Sequence, residues 1–112
     1  MATLSVVTIS LSGGEPEFAA ADVAGDEFSN TSGRTMFHAK NGSGVTVTVT
    51  AACQKACSYG FMHDAVVEIP AGEERIIGPF STYRFNDSGN KVQVSYSAAS
   101  SVTVCAYDLA TS

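Results

Sequence analysis

The chain alternates between apolar and polar positions with a period of two along most of its length. Val45-Thr46-Val47-Thr48-Val49-Thr50 is the clearest case, with valines on one face and threonines on the other. Thr3 to Leu11 is rich in β-branched residues and predicts a strand with Val7, Ile9 and Leu11 on one face. Arg34 to Lys40 predicts a second, with Phe37 and Ala39 opposed to Met36, His38 and Lys40. Short strands follow at Ala65 to Ile69, Glu73 to Ile77 and Phe80 to Phe85. Lys91 to Ser97 places Val92, Val94 and Tyr96 on one face, and Val102 to Leu109 closes the series.

Turn residues separate these segments. Gly13-Gly14, Asn41-Gly42-Ser43-Gly44, Pro70-Ala71-Gly72, Gly78-Pro79 and Asn86-Asp87-Ser88-Gly89-Asn90 are the strongest. The Asn41-Gly42 pair predicts a tight hairpin, because both residues tolerate positive φ. About eight short strands at this spacing predict a single all-β domain over 1–112, an antiparallel β-sandwich of jelly-roll or immunoglobulin-like order. Residues 12–33 lack the alternation and read as an irregular arm or loop.

Composition narrows the function classes. Charged residues are only 15% of the chain and the net charge is −5. An acidic chain with no basic stripe argues against nucleic-acid binding, which needs cations to displace counterions. No apolar run approaches the ~20 residues of a membrane span, and Met1 to Ser5 carries no basic region of a secretory signal. The sequence therefore predicts neither a nucleic-acid nor a membrane partner.

The residues that carry chemistry do not assemble into a motif. Phosphate loops, nucleophile elbows and paired-histidine metal motifs are absent. His63-Asp64 near Cys57 and Ser58 lacks a third group at a defining spacing, and Glu73-Glu74-Arg75 reads as a solvated cluster. The expectation is a protein that is not an enzyme and uses no cofactor. Cys53 and Cys57 leave two states open, free thiols or a local disulfide in an oxidising compartment, while their spacing with His63 fits structural zinc poorly. Cys105 lies in an alternating strand and reads as a small buried hydrophobe. Asp22, Asp26, Glu27 and Asp87 match no calcium-loop spacing.

Apolar residues outside the strongest strands are Phe18, Phe28, Tyr59, Phe61 and Met62. They either cap the ends of the sandwich or form a patch for a protein partner, and they are the candidate contact residues. Tyr59, Phe61 and Tyr83 would serve a carbohydrate-binding module as its aromatic platform.

Taken in order, Gly33-Arg34-Thr35, Phe37-His38, Lys40-Asn41-Gly42, the Val-Thr strand, Ile69-Pro70-Ala71-Gly72-Glu73, Ile77-Gly78-Pro79-Phe80, Phe85-Asn86-Asp87, Gly89-Asn90-Lys91-Val92 and Ser101-Val102-Thr103-Val104 form a series. It resembles small virion structural proteins of tailed bacteriophages, encoded near the major capsid gene. The resemblance covers most of residues 26–107, and the cysteine-containing loop at 52–63 departs from it. It implies a capsid decoration, or cement, protein made in the host cytoplasm and mounted on the outer surface of the head. The implied partners are the major capsid protein and further copies of the chain as a dimer or trimer. A head–tail connector or a tail-associated protein is the alternative virion role.

Overall fold

The computed structural model describes residues 2–55 and 64–109. The chain is mostly β and forms two mixed five-stranded sheets. The strands are β1 (Ala2–Leu4), β2 (Val6–Ile9), β3 (Ala19–Ala20), β4 (Asp26–Ser29), β5 (Thr35–Asn41), β6 (Val47–Ala51), β7 (Ala65–Ile69), β8 (Glu74–Ile77), β9 (Lys91–Tyr96) and β10 (Val102–Leu109). A single helical turn, α1, spans Thr82–Phe85. One sheet runs β1-β4-β9-β6-β7. The other runs β2-β10-β5-β8, with β3 also on β10.

Alternation decides which side chains face inward. Phe37 and Ala39 of β5, Val47 and Val49 of β6, Val92 and Val94 of β9, and Val102, Val104 and Ala106 of β10 are all buried. Residues from both sheets join one core cluster. At its centre Phe28 stacks on Phe37 with ring centroids 5.5 Å apart, so the two sheets meet through an aromatic pair. Phe80 packs against Phe28 and Phe85 and closes one end.

Connections depart from simple hairpins. The Asn41-Gly42 turn leads from β5 in one sheet to β6 in the other, so it is an arch and not the hairpin its sequence predicts. Asn41 explains why. Its buried side-chain amide donates to the carbonyls of Val45, Ile69 and Pro70, at 2.7, 2.9 and 3.3 Å. Its Oδ1 accepts from the Ser43 backbone and hydroxyl. Its own backbone binds Glu73 and Gly72 of the arch between β7 and β8. One side chain thus fastens two adjacent arches, which an exposed hairpin turn would not require. Gly42 is needed beside it: an added Cβ would lie 2.9 Å from the Ser101 carbonyl oxygen.

Four further expectations are corrected. The run from Thr3 to Leu11 is two strands, because the chain passes from one sheet to the other at Ser5. Leu4 is buried and Val6 packs on the core, whereas Leu11 is 97% exposed beyond the end of β2. Both of these strands pair in parallel, β1 with β4 and β2 with β10, so the sheets are mixed and not purely antiparallel. Within the expected arm at 12–33, β3 and β4 are regular. Residues Phe80 to Phe85 hold a helical turn, not a strand. Ser81 caps it by accepting from the Arg84 N–H, and Phe85 is its buried residue.

Candidate protein-interaction edge

The first third of the chain forms one lateral edge of the molecule. β1 closes the free side of β4, and β2 and β3 share the free side of β10. β2 lies beside Ala106 to Leu109, while β3 lies beside Thr103 and Val104. Between β2 and β3 the chain makes an excursion over residues 10–17, all of them exposed. It turns at Gly13, whose φ of +90° suits glycine, and the Gly13 N–H donates to the Ser10 carbonyl.

The excursion returns across the outer face of the second sheet. Phe18 meets the His38 ring edge-on at 5.0 Å, and the Lys40 ammonium lies 4.1 Å from the Phe18 ring centroid. His38 Nε2 is 3.1 Å from Glu74 Oε1. Cys105 is directly opposite His38 across the strands and is buried. Burial raises the Cys105 thiol above its usual range, although the Glu17 N–H partly offsets this.

β1 and residues 17–20 line a groove of about 310 Å³. Ala2, Thr3, Leu4 and Ser5 form one wall, and Glu17, Phe18, Ala19 and Ala20 form the other. β1 is the last strand of its sheet, and β3 pairs with β10 alone, so both strands present an open backbone edge among the described residues.

Hydrogen bonds organise the carboxylates at this edge. Thr3 donates to Glu27 Oε2 at 2.8 Å, and the Gln93 amide donates to Glu27 Oε1 at 3.0 Å and to Asp87 Oδ2 at 2.7 Å. The Gln93 amide, then the Thr3 hydroxyl, hold the Glu27 carboxyl below its usual range. The Lys91 backbone N–H, with the Gln93 amide, does the same for Asp87. Asp26 is fully buried. The Tyr96 hydroxyl donates to its Oδ2 at 2.6 Å, while its Oδ1 has no hydrogen-bond partner among the described residues. Burial and this carboxylate push the Tyr96 phenol strongly up.

Charge is distributed unevenly. Residues 1–33 contain five acidic residues and no lysine or arginine, and the remaining chain contains six of each sign. The formal charge of −5 therefore equals that of residues 1–33, although Lys91 lies 3.9 Å from Glu27 and Lys40 sits against Phe18, so cations of the later chain reach this edge.

The five contact candidates separate. Phe18 lines the groove, half-buried. Phe28 has 0% exposure and belongs to the core, so it offers no surface to a partner. Its segment alternates with Asp26 inward, and pairing with β1 and β9 draws both side chains inside. Tyr59, Phe61 and Met62 lie outside the described residues. Sequence reading missed Thr3, Ser5, Glu17, Ala19 and Ala20, and the lack of basic residues before Arg34 was the available signal.

Among the described residues, no group of three or more His, Cys, Asp and Glu is placed to hold a metal ion. No described helix is long and apolar enough to cross a membrane. The chain matches no family model, no curated protein and no solved structure.

Proposed function

We propose that this chain is a β-sandwich capsid decoration protein that binds the outer surface of a phage head and stabilises its lattice. The observation that carries the reading is the lateral edge, where a groove lined by Glu17 and open strand edges coincide among residues whose stretch of sequence, 1–33, has a formal charge of −5. Such an edge suits a protein partner, because backbone edges supply affinity by strand addition and charge supplies orientation. The partner is the major capsid protein, and copies associate as a dimer or trimer on the lattice. The mechanism is mass action: a protein that binds only the assembled shell stabilises it by its binding free energy. Linked copies make modest contacts add up.

Quantitative composition and imaging of purified heads test this. A copy number comparable to the major capsid protein, with density on the outer shell, is the expected result. A few copies at a single vertex or on the tail would replace decoration with a connector or tail role. Absence from particles would overturn a virion role.

A further inference from the structure

We infer that the groove between β1 and residues 17–20 is a receptor for an extended, lysine- or arginine-bearing segment of the partner protein, bound by strand addition. The inference deepens the decoration reading by naming the contact chemistry, and it rests on four features of one place.

The first is shape. A volume of about 310 Å³ admits a short extended stretch, whereas an α-helix with its side chains is about 10–12 Å across. The second is the lining. Ala2, Thr3, Ser5, Ala19 and Ala20 are small, so another backbone can approach closely. The third is the open edge on each wall. β1 ends one sheet and β3 pairs only with β10, so each has backbone groups to offer an incoming strand. The other lateral edge is different: Glu73, Glu74 and Arg75 crowd the start of β8, and Glu73 and Arg75 pair at 3.0 Å.

The fourth is charge. Glu17 lines the groove and Glu15 is exposed two residues before it, whereas Glu27, bonded to Thr3, already has the Lys91 ammonium 3.9 Å away. The residues that line the groove include Glu17 and no lysine or arginine, and Lys40 lies behind it against the Phe18 ring. Strand addition alone does not choose among extended segments. The acidic rim selects one carrying cations and disfavours an acidic one, because like charges brought together cost free energy. Phe18 gives the segment an apolar surface to lie against. Its ring is held from behind by His38 and Lys40, so it does not have to be ordered on binding.

The test uses the full chain and two blocked peptides, Lys-Val-Lys-Val-Lys-Val and Glu-Val-Glu-Val-Glu-Val. Binding is followed by amide chemical shifts and hydrogen exchange. Two variants at exposed positions accompany the wild type: Ser5→Trp, which fills the groove, and Glu17→Lys, which reverses its charge. Unchanged unfolding midpoints establish that both fold. The lysine peptide is expected to bind, with shifts and slowed exchange at residues 2–5 and 17–20. The glutamate peptide is not. Ser5→Trp is expected to abolish binding, and Glu17→Lys to weaken it about tenfold. Failure of the lysine peptide to bind, equal binding of both peptides, or binding indifferent to Ser5→Trp would overturn the inference. The same variants on purified heads separate the two proposals. Heads that bind wild type and Ser5→Trp equally well remove the groove and leave decoration standing. Heads that bind neither, while the lysine peptide binds wild type alone, remove decoration and leave the groove.

Discussion

The lateral edge built by β1, β2, β3 and the excursion between β2 and β3, and the body built by β4 to β10, obey different rules. In the body, apolar alternation, burial and strand pairing agree: β5 buries every second residue against both neighbours. At the edge, β1 and β2 are short, pair in parallel, and bury only Leu4. The edge carries Glu15 and Glu17, no lysine or arginine of its own, and an exposed excursion. Stability concentrates where the pattern is consistent, and under the proposed function the partner would be engaged where it is not.

Core truncation is the severest test of that division. Phe37→Ala removes the ring that joins the two sheets and is expected to cost about 3–5 kcal/mol, read as loss of the cooperative transition in denaturant. A partial loss confined to one sheet would contradict a single shared core. Next is Asn41→Ala, which removes the buried amide from the Ile69 carbonyl, while the Val45 and Pro70 carbonyls keep the Ser43 hydroxyl and the Glu73 N–H. A cost of about 3 kcal/mol is expected from leaving that buried acceptor unpaired and losing the amide's other bonds, seen as a lowered thermal midpoint; a loss below about 1 kcal/mol would mean that water replaces the staple.

Leu4→Ala addresses the edge. It is expected to cost about 2 kcal/mol, with faster exchange in β1 and little change in β5, β9 and β10. Uniform acceleration throughout the chain would erase the distinction between edge and body. The smallest effect concerns pH. Glu27 and Asp87 have depressed carboxyl pKa values in the folded state. Their contribution is therefore full above the unfolded carboxylate pKa and disappears as pH falls through the folded value. Gln93→Leu removes a donor common to both. It should flatten the fall in stability on acidification, and an unaltered acid profile would show that Gln93 does not set these pKa values.

The same division explains what was legible in the sequence. β5, β6, β9 and β10 could be read with their inward faces, because Phe37, Val49, Val94 and Val104 sit in uninterrupted alternation. The β1–β2 switch could not, because Leu4-Ser5-Val6-Val7 is apolar enough to read as one strand, and only pairing with β4 and β10 places a break at Ser5. Sheet membership was likewise hidden. Asn41-Gly42 carries a hairpin signal locally, and its role as an arch depends on carbonyls near residue 70. Phe28 lies between an irregular stretch and a turn signal, and its burial depends on partners β1 and β9. The groove was illegible for a related reason: its walls are fifteen residues apart and consist of alanine, serine and threonine, which announce no chemistry. The bias in charge before Arg34 was visible in the sequence, but not that Glu17 lines a groove with β1.

The uneven charge has a consequence for arrival as well as for contact. Residues 1–33 have a formal charge of −5 and the rest of the chain has none net, so a molecule with principal extents of 40 × 38 × 21 Å and charge so unevenly placed is an electric dipole. In the field of a positively charged partner surface, such as the proposed binding site would meet, it would experience a torque before a fit, so encounters would begin with the acidic side leading. Raising ionic strength shortens the range of that torque to within about one Debye length, ~8 Å at physiological salt. Association should then slow more than dissociation quickens, which makes the salt dependence of the on-rate a record of how the molecule turns on approach.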